Sequence, residues 1–338
     1  MTTVSRRNIL KAGTAGVLGA AGLAALTTRP AQGDSPPVDV HPSHSEGHAG
    51  NVMVGDVDPN GVNQFDPTAM LGDWDTGKVS TLPASSGQTL REYEMFANEK
   101  EVEIAPGVYF PAWTYNGRVP GPTIRCTEGD RIRIHFVNGT SHPHSIHFHG
   151  LHPASMDGLE PVPPGGTFTY EFDAEPFGLH LYHCHTLPLK RHIHKGLYGG
   201  FIVDPKGGRP PARELFMMMN AFDTNFDGGN EVYAVNTVGF HYLRHPIQVK
   251  VDEPVRLYVV NIVEFDLINS FHLHANFFDV YRTGTRLDTT EFTDTIMLAQ
   301  GERAILETRF KWPGQYMFHA HVSEFAELGW LGLFEVTP

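Results

Sequence analysis

Residues 165–185, GGTFTYEFDAEPFGLHLYHCH, decide the fold of this chain. Within them, TFTYEFD (167–173) alternates aromatic with polar residues, which is the pattern of a half-buried β-strand. The stretch has a gap-free copy at residues 301–321, GERAILETRFKWPGQYMFHAH. Among the residues that coincide at a constant offset of 136 positions are Gly165 with Gly301, Gly178 with Gly314, His183 with His319, and His185 with His321. A repeat of this kind indicates two copies of one β-domain.

The rest of the chain supports this interpretation. Short alternating runs such as RIRIHFVN, VRLYVVN and AILETRF are separated by turn signals at the spacing of an all-β sandwich, and no run predicts a long amphipathic helix. Upstream, HSIHFHG (144–150) matches NSFHLHA (269–275). We predict an all-β fold of two tandem domains, residues 88–206 and 212–338, joined by the Pro- and Gly-rich segment DPKGGRPPARE.

The N-terminus predicts export. SRRNILK (5–11) contains a twin-arginine pair, and the small apolar residues that follow, up to residue 26, are too few for a helix that spans a bilayer, which needs about 20. Residues 1–33 therefore resemble a signal peptide of the twin-arginine pathway, which predicts a periplasmic or secreted protein without a stable membrane span. Residues 34–87 are rich in Pro, Gly, Asp and Ser and are predicted to be an arm or linker, and its His41, His44 and His48 are expected to be solvated although they could bind metal.

Charge and cysteine content narrow the possible functions. The formal net charge is −13 and the chain has no long Lys/Arg run, which argues against nucleic acid or an anionic membrane surface as the main partner. The chain has two cysteines. Cys126, in TIRCTEGD, is predicted to be a buried strand residue and not a disulfide partner. Cys184 lies between two histidines and needs another explanation.

Four HxH motifs stand at matching positions of the two domains: His147/His149, His183/His185, His272/His274 and His319/His321. Residues two apart on a strand point to the same face, so each motif aims two imidazoles in one direction. One such pair could be structural, but four matched pairs indicate a metal cluster. Imidazole ligands without carboxylates favour copper or zinc over calcium or magnesium.

Strand alternation separates a second group of residues. Cys184 lies between two cluster histidines, so its side chain must point to the opposite face, and His144 lies an odd three residues before His147. His192 follows on the loop TLPLKRHIHKG. Two imidazoles and one thiolate form the trigonal ligand set of a blue-copper electron-transfer centre.

The same loop supplies the second histidine ligand of this centre and the residue at its axial position. We favour His192 over His194 as the ligand and expect His194 to face solvent or to support the ligands from outside. Leu197 stands five residues after His192, where an axial ligand is usual, and leucine cannot coordinate. An apolar axial neighbour is expected to raise the copper potential.

The second domain has lost this centre. Asn269 stands at the position of His144, Ala320 stands at the position of Cys184, and no histidine follows His321. The second domain is therefore expected to supply ligands to the cluster alone. The remaining histidines are predicted to be structural or exposed, among them His135, His142, His152, His180, His241 and His245.

The motifs HxxHxHG, HCH followed by His192 and Leu197, and the paired HxH resemble those of multicopper oxidases, in particular their two-domain, laccase-like subgroup. The resemblance covers residues 88–338 and implies two cupredoxin domains, each a Greek-key β-sandwich, with four coppers per chain. It implies one type 1, one type 2 and two type 3 coppers, with these ligands: His144, Cys184 and His192 for type 1; His147 and His272 for type 2; His149, His183, His185, His274, His319 and His321 for the type 3 pair.

The resemblance also implies an activity and an assembly. The expected reaction is one-electron oxidation of a phenol, an aromatic amine, a metal ion or a small redox protein, coupled to four-electron reduction of O2 to water. A homotrimer is expected, with each three-copper cluster shared between neighbouring chains. Asp157 resembles the acidic residue that relays protons in such oxidases, although a turn-forming aspartate before Gly158 fits as well. Glu324 and Glu327 are weaker candidates for that relay.

Two alternatives remain open. Copper nitrite reductases share the two-domain plan, but they have an acidic residue where His147 stands, no second histidine where His185 stands, and an axial Met where Leu197 stands. A non-enzymatic copper or electron-transfer protein would need only the predicted type 1 ligands. It would leave the other cluster histidines without a purpose.

Overall fold

The computed structural model of this chain describes residues 55–82 and 87–338. The predicted signal peptide and the three histidines of the arm, His41, His44 and His48, lie outside the described residues. Among the described residues, no helix is long and apolar enough to cross a membrane.

The first domain contains ten strands in two sheets. Their bounds are β1 Trp74–Asp75, β2 Lys78–Thr81, β3 Thr89–Ala105, β4 Val108–Tyr115, β5 Gly121–Thr127, β6 Arg131–Asn138, β7 His147–Phe148, β8 Thr167–Asp173, β9 Gly178–His183 and β10 Tyr198–Asp204. One sheet has the order β1-β5-β10-β9-β7, and the other has the order β2-β3-β6-β8 with β4 paired to β3.

The second domain contains eleven strands, again in two sheets. Their bounds are β11 Arg213–Phe222, β12 Val232–Val235, β13 Ile247–Lys250, β14 Val255–Asn261, β15 Ile268–Leu273, β16 Phe278–Arg282, β17 Glu291–Thr293, β18 Thr295–Ala299, β19 Arg303–Thr308, β20 Gly314–His319 and β21 Leu331–Thr337. The sheet orders are β12-β11-β14-β19-β16-β17 and β13-β21-β20-β15-β18. The predicted all-β fold of two cupredoxin domains is confirmed.

The repeat that the sequence predicts is present in the strands. Strand β9 begins at Gly178 and β20 at Gly314, 136 positions later, and both end on a histidine of an HxH motif. Both glycines have strongly positive φ values, 143° and 140°, which side chains disfavour. The glycines therefore allow the chain to enter each of these strands at the same angle.

Helices are few and short among the described residues. They are α1 Pro67–Met70, α2 Leu189–His194, α3 His241–Arg244 and α4 Ser323–Glu327, with a 3-10 turn at Ala154–Met156. Helices α2 and α4 occupy equivalent loops, since each lies between an HxH strand and the strand that follows it. The α2 loop is three residues longer, because β10 begins 20 residues after Gly178 whereas β21 begins 17 residues after Gly314.

The three largest clusters of buried apolar side chains lie one in each domain and one between the domains. The third cluster joins Phe110 and Leu181 of the first domain to Phe216 and Tyr258 of the second, all of them buried. The run FMMMN lies within β11 and is buried, as predicted. Cys126 is a free, buried residue of β5, also as predicted. Burial of this much apolar surface stabilises the contact between the two domains.

Residues 67–81, predicted as part of an extended arm, are folded against both domains instead. Strand β1 pairs in parallel with β5, and β2 pairs antiparallel with β3. Tyr242 of the second domain donates its hydroxyl proton to the carbonyl oxygen of Pro67 at 2.6 Å, and the amide of Phe216 donates to that of Leu71 at 2.8 Å. The elements are too short for their periodicity to be visible in the sequence, which explains why they were not predicted.

Candidate metal centres

Cys184, His144 and His192 meet in a closed pocket of the first domain. The Sγ atom of Cys184 lies 3.2 Å from Nδ1 of His192 and 3.8 Å from Nδ1 of His144. The two Nδ1 atoms are 3.0 Å apart. All three side chains are buried. The predicted type 1 ligands are thus brought together, with three donor atoms converging on one point.

The electrostatics of this pocket suit a metal. Burial lowers the pKa of His144 to about 3, and the neighbouring His192 lowers it further. Burial also lowers the pKa of His192 to about 4, and there the charge of Arg191 adds to the effect. Both imidazoles are therefore neutral at physiological pH and keep a lone pair for coordination. Burial also raises the pKa of the Cys184 thiol, so a bound cation is needed to hold it as the thiolate.

Neighbouring groups fix the position of the Cys184 sulfur. The amide of Ser145 donates to Sγ at 3.4 Å, and Leu197 is completely buried in the same apolar cluster. The ring of Trp113 lies 5.0 Å from the rings of both His144 and His192. The pocket is therefore closed by apolar and aromatic groups on the sides that the ligands leave open.

The structure places His194 away from this pocket and away from solvent. Its ring is buried, packs 5.0 Å from Phe265 and 5.4 Å from Phe110, and accepts a hydrogen bond from the amide of Asp223 at 3.3 Å. The prediction that His194 faces solvent is wrong. Helix α2 explains the difference, because it turns His192 and His194 about 200° apart, so that one faces the cysteine and the other the inter-domain core.

Four other imidazoles of the first domain surround His147. Its ring centroid lies 5.1 Å from that of His149, 5.2 Å from that of His183 and 5.3 Å from that of His185. His152 lies further out, at 6.1 Å. The Nε2 atoms of His149 and His183 are 3.3 Å apart. The two HxH motifs thus converge, as the strand alternation predicts.

Hydrogen bonds to backbone carbonyl oxygens fix the orientation and the tautomer of two of these rings. His147 donates its Nδ1 proton to the carbonyl oxygen of Asp157 at 3.0 Å, and His183 donates its own to that of Cys184 at 3.0 Å. A proton held at Nδ1 leaves Nε2 with its lone pair. Burial lowers the pKa of His183 to about 4 and that of His149 to about 2, so both rings are neutral.

The second domain repeats this arrangement contact by contact. The ring of His272 lies 5.0 Å from His274, 5.3 Å from His319 and 5.1 Å from His321. His272 directs Nδ1 to the carbonyl oxygen of Asp294 at 3.0 Å, and His319 directs Nδ1 to that of Ala320 at 2.6 Å. The Nε2 atoms of His274 and His319 are 2.9 Å apart.

The two sets of four histidines do not form one cluster within the chain. In residues 55–82 and 87–338, their ring contacts stay within their own domain. The second set is open to solvent, since His274 and His321 are exposed. We call the set around His147 the first half-site and the set around His272 the second half-site.

Asp157 lies beside the first half-site. Its Oδ1 atom is 3.2 Å from Nδ1 of His147 and 3.9 Å from Nε2 of His152. Asp157 is also the C-cap of the 3-10 turn Ala154–Met156, as expected of a turn-forming aspartate. Glu324 and Glu327 lie on α4 and are exposed.

Three residues of the site were not predicted from the sequence. Ser145 accepts the amide proton of His185 on its hydroxyl at 3.3 Å, and Ser270 does the same for His321 at 2.7 Å. These serines occupy the same position of the repeat, so a comparison of the two copies could have predicted that they share a role. Arg303 of β19 lines the cleft beside His149 and donates to the carbonyl oxygen of Leu179 at 2.9 Å. Arg303 comes from the other domain, so no local sequence pattern predicts that it lies beside His149.

The donor sets fit copper. Two neutral imidazoles and one thiol converge in a buried pocket, which matches a type 1 centre. Within each half-site, two Nε2 atoms lie close together, 3.3 Å apart in the first and 2.9 Å apart in the second. Models of multicopper oxidase domains match residues 97–208 and 209–338. The chain belongs to the multicopper oxidase family. Copper is accordingly the metal that these donor sets suit.

Several members of this family are similar to the chain. A crystal structure of a multicopper oxidase is 56% identical, with a TM-score of 0.81, and covers 83% of this chain and all of its own. A copper nitrite reductase from Nitrosomonas europaea is 29% identical, with a TM-score of 0.69, covering 73% of this chain and 94% of its own. The copper-containing nitrite reductase of Neisseria gonorrhoeae is 34% identical over 245 residues, or 66% of this chain, and the match spans 62% of that relative's length.

Proposed function

We propose that this multicopper oxidase reduces O2 to water in a four-electron reaction and takes the electrons one at a time from a reducing substrate, as laccases do. One observation carries the proposal. Eight histidines form two half-sites of four rings each, centred on His147 and His272 and built from equivalent contacts. A nitrite reductase or an electron carrier has no use for so many ligands.

The proposed assignment uses four coppers per chain. His144, Cys184 and His192 hold the type 1 copper, with Leu197 as its non-coordinating axial neighbour. His147 and His272 hold the type 2 copper. The type 3 pair is held by His149, His183, His185, His274, His319 and His321. When bound, the type 1 copper would accept electrons one at a time from the donor, and the four coppers, each giving up one electron, would together supply the four electrons that O2 requires.

The chain itself links the two kinds of centre. Cys184 directs its sulfur to one pocket, while its carbonyl oxygen accepts the Nδ1 proton of His183, whose Nε2 faces the other. Adjacent residues of an extended chain advance only about 3.3 Å. The connection between the centres is therefore short and bonded throughout, and it crosses no solvent.

We propose that Asp157 supplies protons to the first half-site. Its carboxylate lies 3.2 Å from Nδ1 of His147 and borders an open cleft of about 550 Å³ that His149 and Arg303 also line. A carboxylate at the mouth of such a cleft can pass protons inward by alternate loss and gain. Its contact with His147 also keeps that ring oriented, so Asp157 can act in both ways.

Copper nitrite reductase is the second candidate, because such enzymes are among the similar proteins. Three positions favour the oxidase. His147 stands where these reductases have an acidic residue, His185 is a second histidine that they lack, and Leu197 replaces their axial methionine. The structure brings His147 and His185 into one set, with ring centroids 5.3 Å apart. A carrier of single electrons would leave that set unused.

The electron donor is proposed only as a class: a phenol, an aromatic amine, a low-valent metal ion or a small redox protein. Donation can occur without direct coordination if the donor reaches the surface next to His192. There, Trp113 packs against the rings of both type 1 histidines, and the guanidinium of Arg191 lies 4.9 Å above its indole. This arrangement gives a compact route inward from the surface.

We further propose a homotrimer in which the first half-site of one chain meets the second half-site of its neighbour. The exposure of His274 and His321 supports this, because ligands that face solvent can be covered by a neighbouring chain. The exposed rings of Phe277 and Phe292, 5.3 Å apart, follow His274 in the chain and offer an apolar contact surface. Export by the twin-arginine pathway, to the periplasm or out of the cell, is part of the same proposal.

Oxygen uptake tests the proposed function. The copper-loaded protein is supplied with a phenol, Cu(I) or a reduced cytochrome and is offered O2 or nitrite, while copper per chain is measured on the same sample. We expect O2 consumption, no nitrite consumption and about four coppers per chain. Nitrite consumption with two coppers would replace the proposal by a reductase, and one copper with neither activity would leave a carrier.

A further inference from the structure

Two histidines and an aspartate form a cluster apart from the copper ligands. His241 and His245 come from the second domain, and Asp56 comes from the segment that precedes the first. One ring nitrogen of each histidine and one carboxylate oxygen of Asp56 lie within 4.8 Å of one another. The sequence predicts no partners for these two histidines, so the fold alone brings the three groups together.

Helix α3 places the two histidines on one face. It begins after Phe240, whose left-handed conformation (φ 58°) turns the chain into the helix. His241 is its first residue and His245 follows its last, four positions later, and the amide of His245 donates to the carbonyl oxygen of His241 at 2.8 Å. Residues at this spacing are neighbours on a helix surface. Their ring centroids are 4.7 Å apart.

Asp56 faces His245 directly. Its Oδ2 atom lies 2.6 Å from Nε2 of His245, while Oδ1 accepts the amide proton of Val57 at 2.9 Å. Burial acts to raise the pKa of Asp56, but the hydrogen bonds from His245 and Val57 and the charge of Arg244 outweigh it, so the pKa is lowered. Asp56 is therefore an anionic oxygen donor at neutral pH.

His241 is the buried member of the cluster, only 5% exposed. Its Nε2 atom lies 2.8 Å from the hydroxyl of Thr68 and 3.9 Å from Oδ1 of Asp66. Its Nδ1 atom is also buried and has no hydrogen-bond partner among the described residues. A buried ring nitrogen without a partner is costly and rare in folded proteins. A bound cation would satisfy it.

The local charge favours a cation. Asp56 and Asp66 contribute two negative charges, the guanidinium of Arg244 contributes one positive charge at 3.7 Å from Oδ1 of Asp56, and burial lowers the pKa of His241 to about 4, which keeps that ring neutral. The two carboxylates and the one guanidinium leave the cluster with a net negative charge. A divalent ion would reverse this imbalance and would replace the proton that Asp56 and His245 share.

We propose that Asp56, His241 and His245 bind one divalent zinc ion, at a site separate from the copper centres. Two imidazoles and one carboxylate are a common zinc ligand set, with a water molecule completing the tetrahedron. The carboxylate distinguishes this ligand set from the all-imidazole sets and the thiolate-containing set that we assign to copper. The ion ties the segment around Asp56 to helix α3, and so anchors this segment to the second domain.

Zinc retention by the full-length, copper-loaded protein tests this proposal. The protein is equilibrated with Zn2+, excess ion is removed on a desalting column, and zinc and copper are measured together. We expect about one zinc per chain with no loss of copper. The substitutions D56N and H245Q are each expected to weaken zinc binding by at least about tenfold and to leave copper content and the blue absorbance unchanged.

Two controls separate this site from others. H135Q changes another histidine that faces a carboxylate, since Nε2 of His135 lies 3.8 Å from Oε1 of Glu92, and it should leave zinc binding intact. A triple variant, H41Q/H44Q/H48Q, removes the histidines of the arm and should also retain zinc. The proposal is overturned if the wild-type protein retains no zinc, if D56N and H245Q retain it fully, or if only the triple variant loses it.

Discussion

The Nδ1 atom of His183 lies 3.0 Å from the carbonyl oxygen of Cys184, the residue that follows it. Through this contact one short stretch serves two metal pockets. The sulfur of Cys184 points to His192 at 3.2 Å, while the carbonyl fixes the ring of His183 towards the histidine cluster. In the second domain, His319 makes the same contact with Ala320, at 2.6 Å, and there the sulfur is missing. The orienting contact thus belongs to the repeat, and the cysteine was added to or kept in only one copy.

The substitution C184S is expected to abolish the blue absorbance and to lower oxidase activity by at least about 100-fold, because the type 1 pocket loses its thiolate. The protein should contain one copper fewer per chain. C126S is the matched control, since Cys126 is also buried but lies on β5 with its sulfur 3.8 Å from the carbonyl oxygen of Ile202. Retention of the blue absorbance in C184S would contradict the assignment.

The substitution L197M offers the type 1 copper a thioether where Leu197 now stands, completely buried beside Cys184. We expect the midpoint potential to fall by on the order of 60 mV, which for one electron is a tenfold change in the equilibrium constant. Redox titration followed by the blue absorbance measures it. L257M, at a buried leucine of the second domain, should leave the potential unchanged. An unchanged potential in L197M would show that residue 197 is not the axial neighbour.

The substitution D157N tests the carboxylate beside the first half-site. We expect kcat to fall by about 10- to 100-fold, because the partner of a metal-binding histidine is altered and the proton donor is removed. D294N is the control. Asp294 supports His272 through its carbonyl oxygen, which the substitution keeps, while its carboxylate bonds to Thr295 at 2.9 Å.

The pH profile separates the two roles of Asp157. If the carboxylate relays protons, D157E should restore part of the activity and D157N should lose the acidic limb of the kcat profile. If Asp157 only orients His147, both variants should keep the shape of the wild-type profile and differ in copper affinity. Wild-type activity, pH profile and copper content in D157N would rule out both roles.

The sequence predicts those parts of the fold and of the metal centres that leave a local or periodic pattern in the chain. The constant offset between Gly178 and Gly314 predicted the repeat, and strand alternation predicted that Cys184 points away from its neighbours; both signals are local and periodic. The prediction for His194 was wrong because helix α2 was not foreseen and the residues that bury its ring, Phe110 and Phe265, are distant in sequence.

Contacts between the domains could not be predicted from the sequence either, because they also join residues that are distant in the chain. Arg303 reaches the first domain from β19, and residues 67–81 pack on both domains through elements of four residues or fewer. Such contacts depend on tertiary packing and leave no periodic trace in the chain. Ser145 and Ser270 are different, because they coincide in the repeat and could have been found by comparing the two copies beyond their histidines.

The arrangement of half-sites predicts that two inactive variants can restore each other. H149N disables the first half-site and leaves the second intact, and H274N does the reverse; both residues make equivalent contacts, with Nε2 atoms 3.3 Å from His183 and 2.9 Å from His319. Each variant alone should lack oxidase activity. In a cyclic trimer with clusters between neighbours, every mixed trimer has one cluster with both halves intact.

Co-expression of H149N and H274N in equal amounts, with oxygen uptake and copper per chain measured on the purified trimers, checks this. Random assembly makes about three quarters of the trimers mixed, so activity should recover to about one quarter of the wild-type value. Co-expression of H149N with H183N is the control, because both substitutions damage the same half-site and no combination completes a cluster. No recovery with the first pair would mean that each chain builds its cluster alone, whereas recovery with the control pair would mean that His149 or His183 is dispensable.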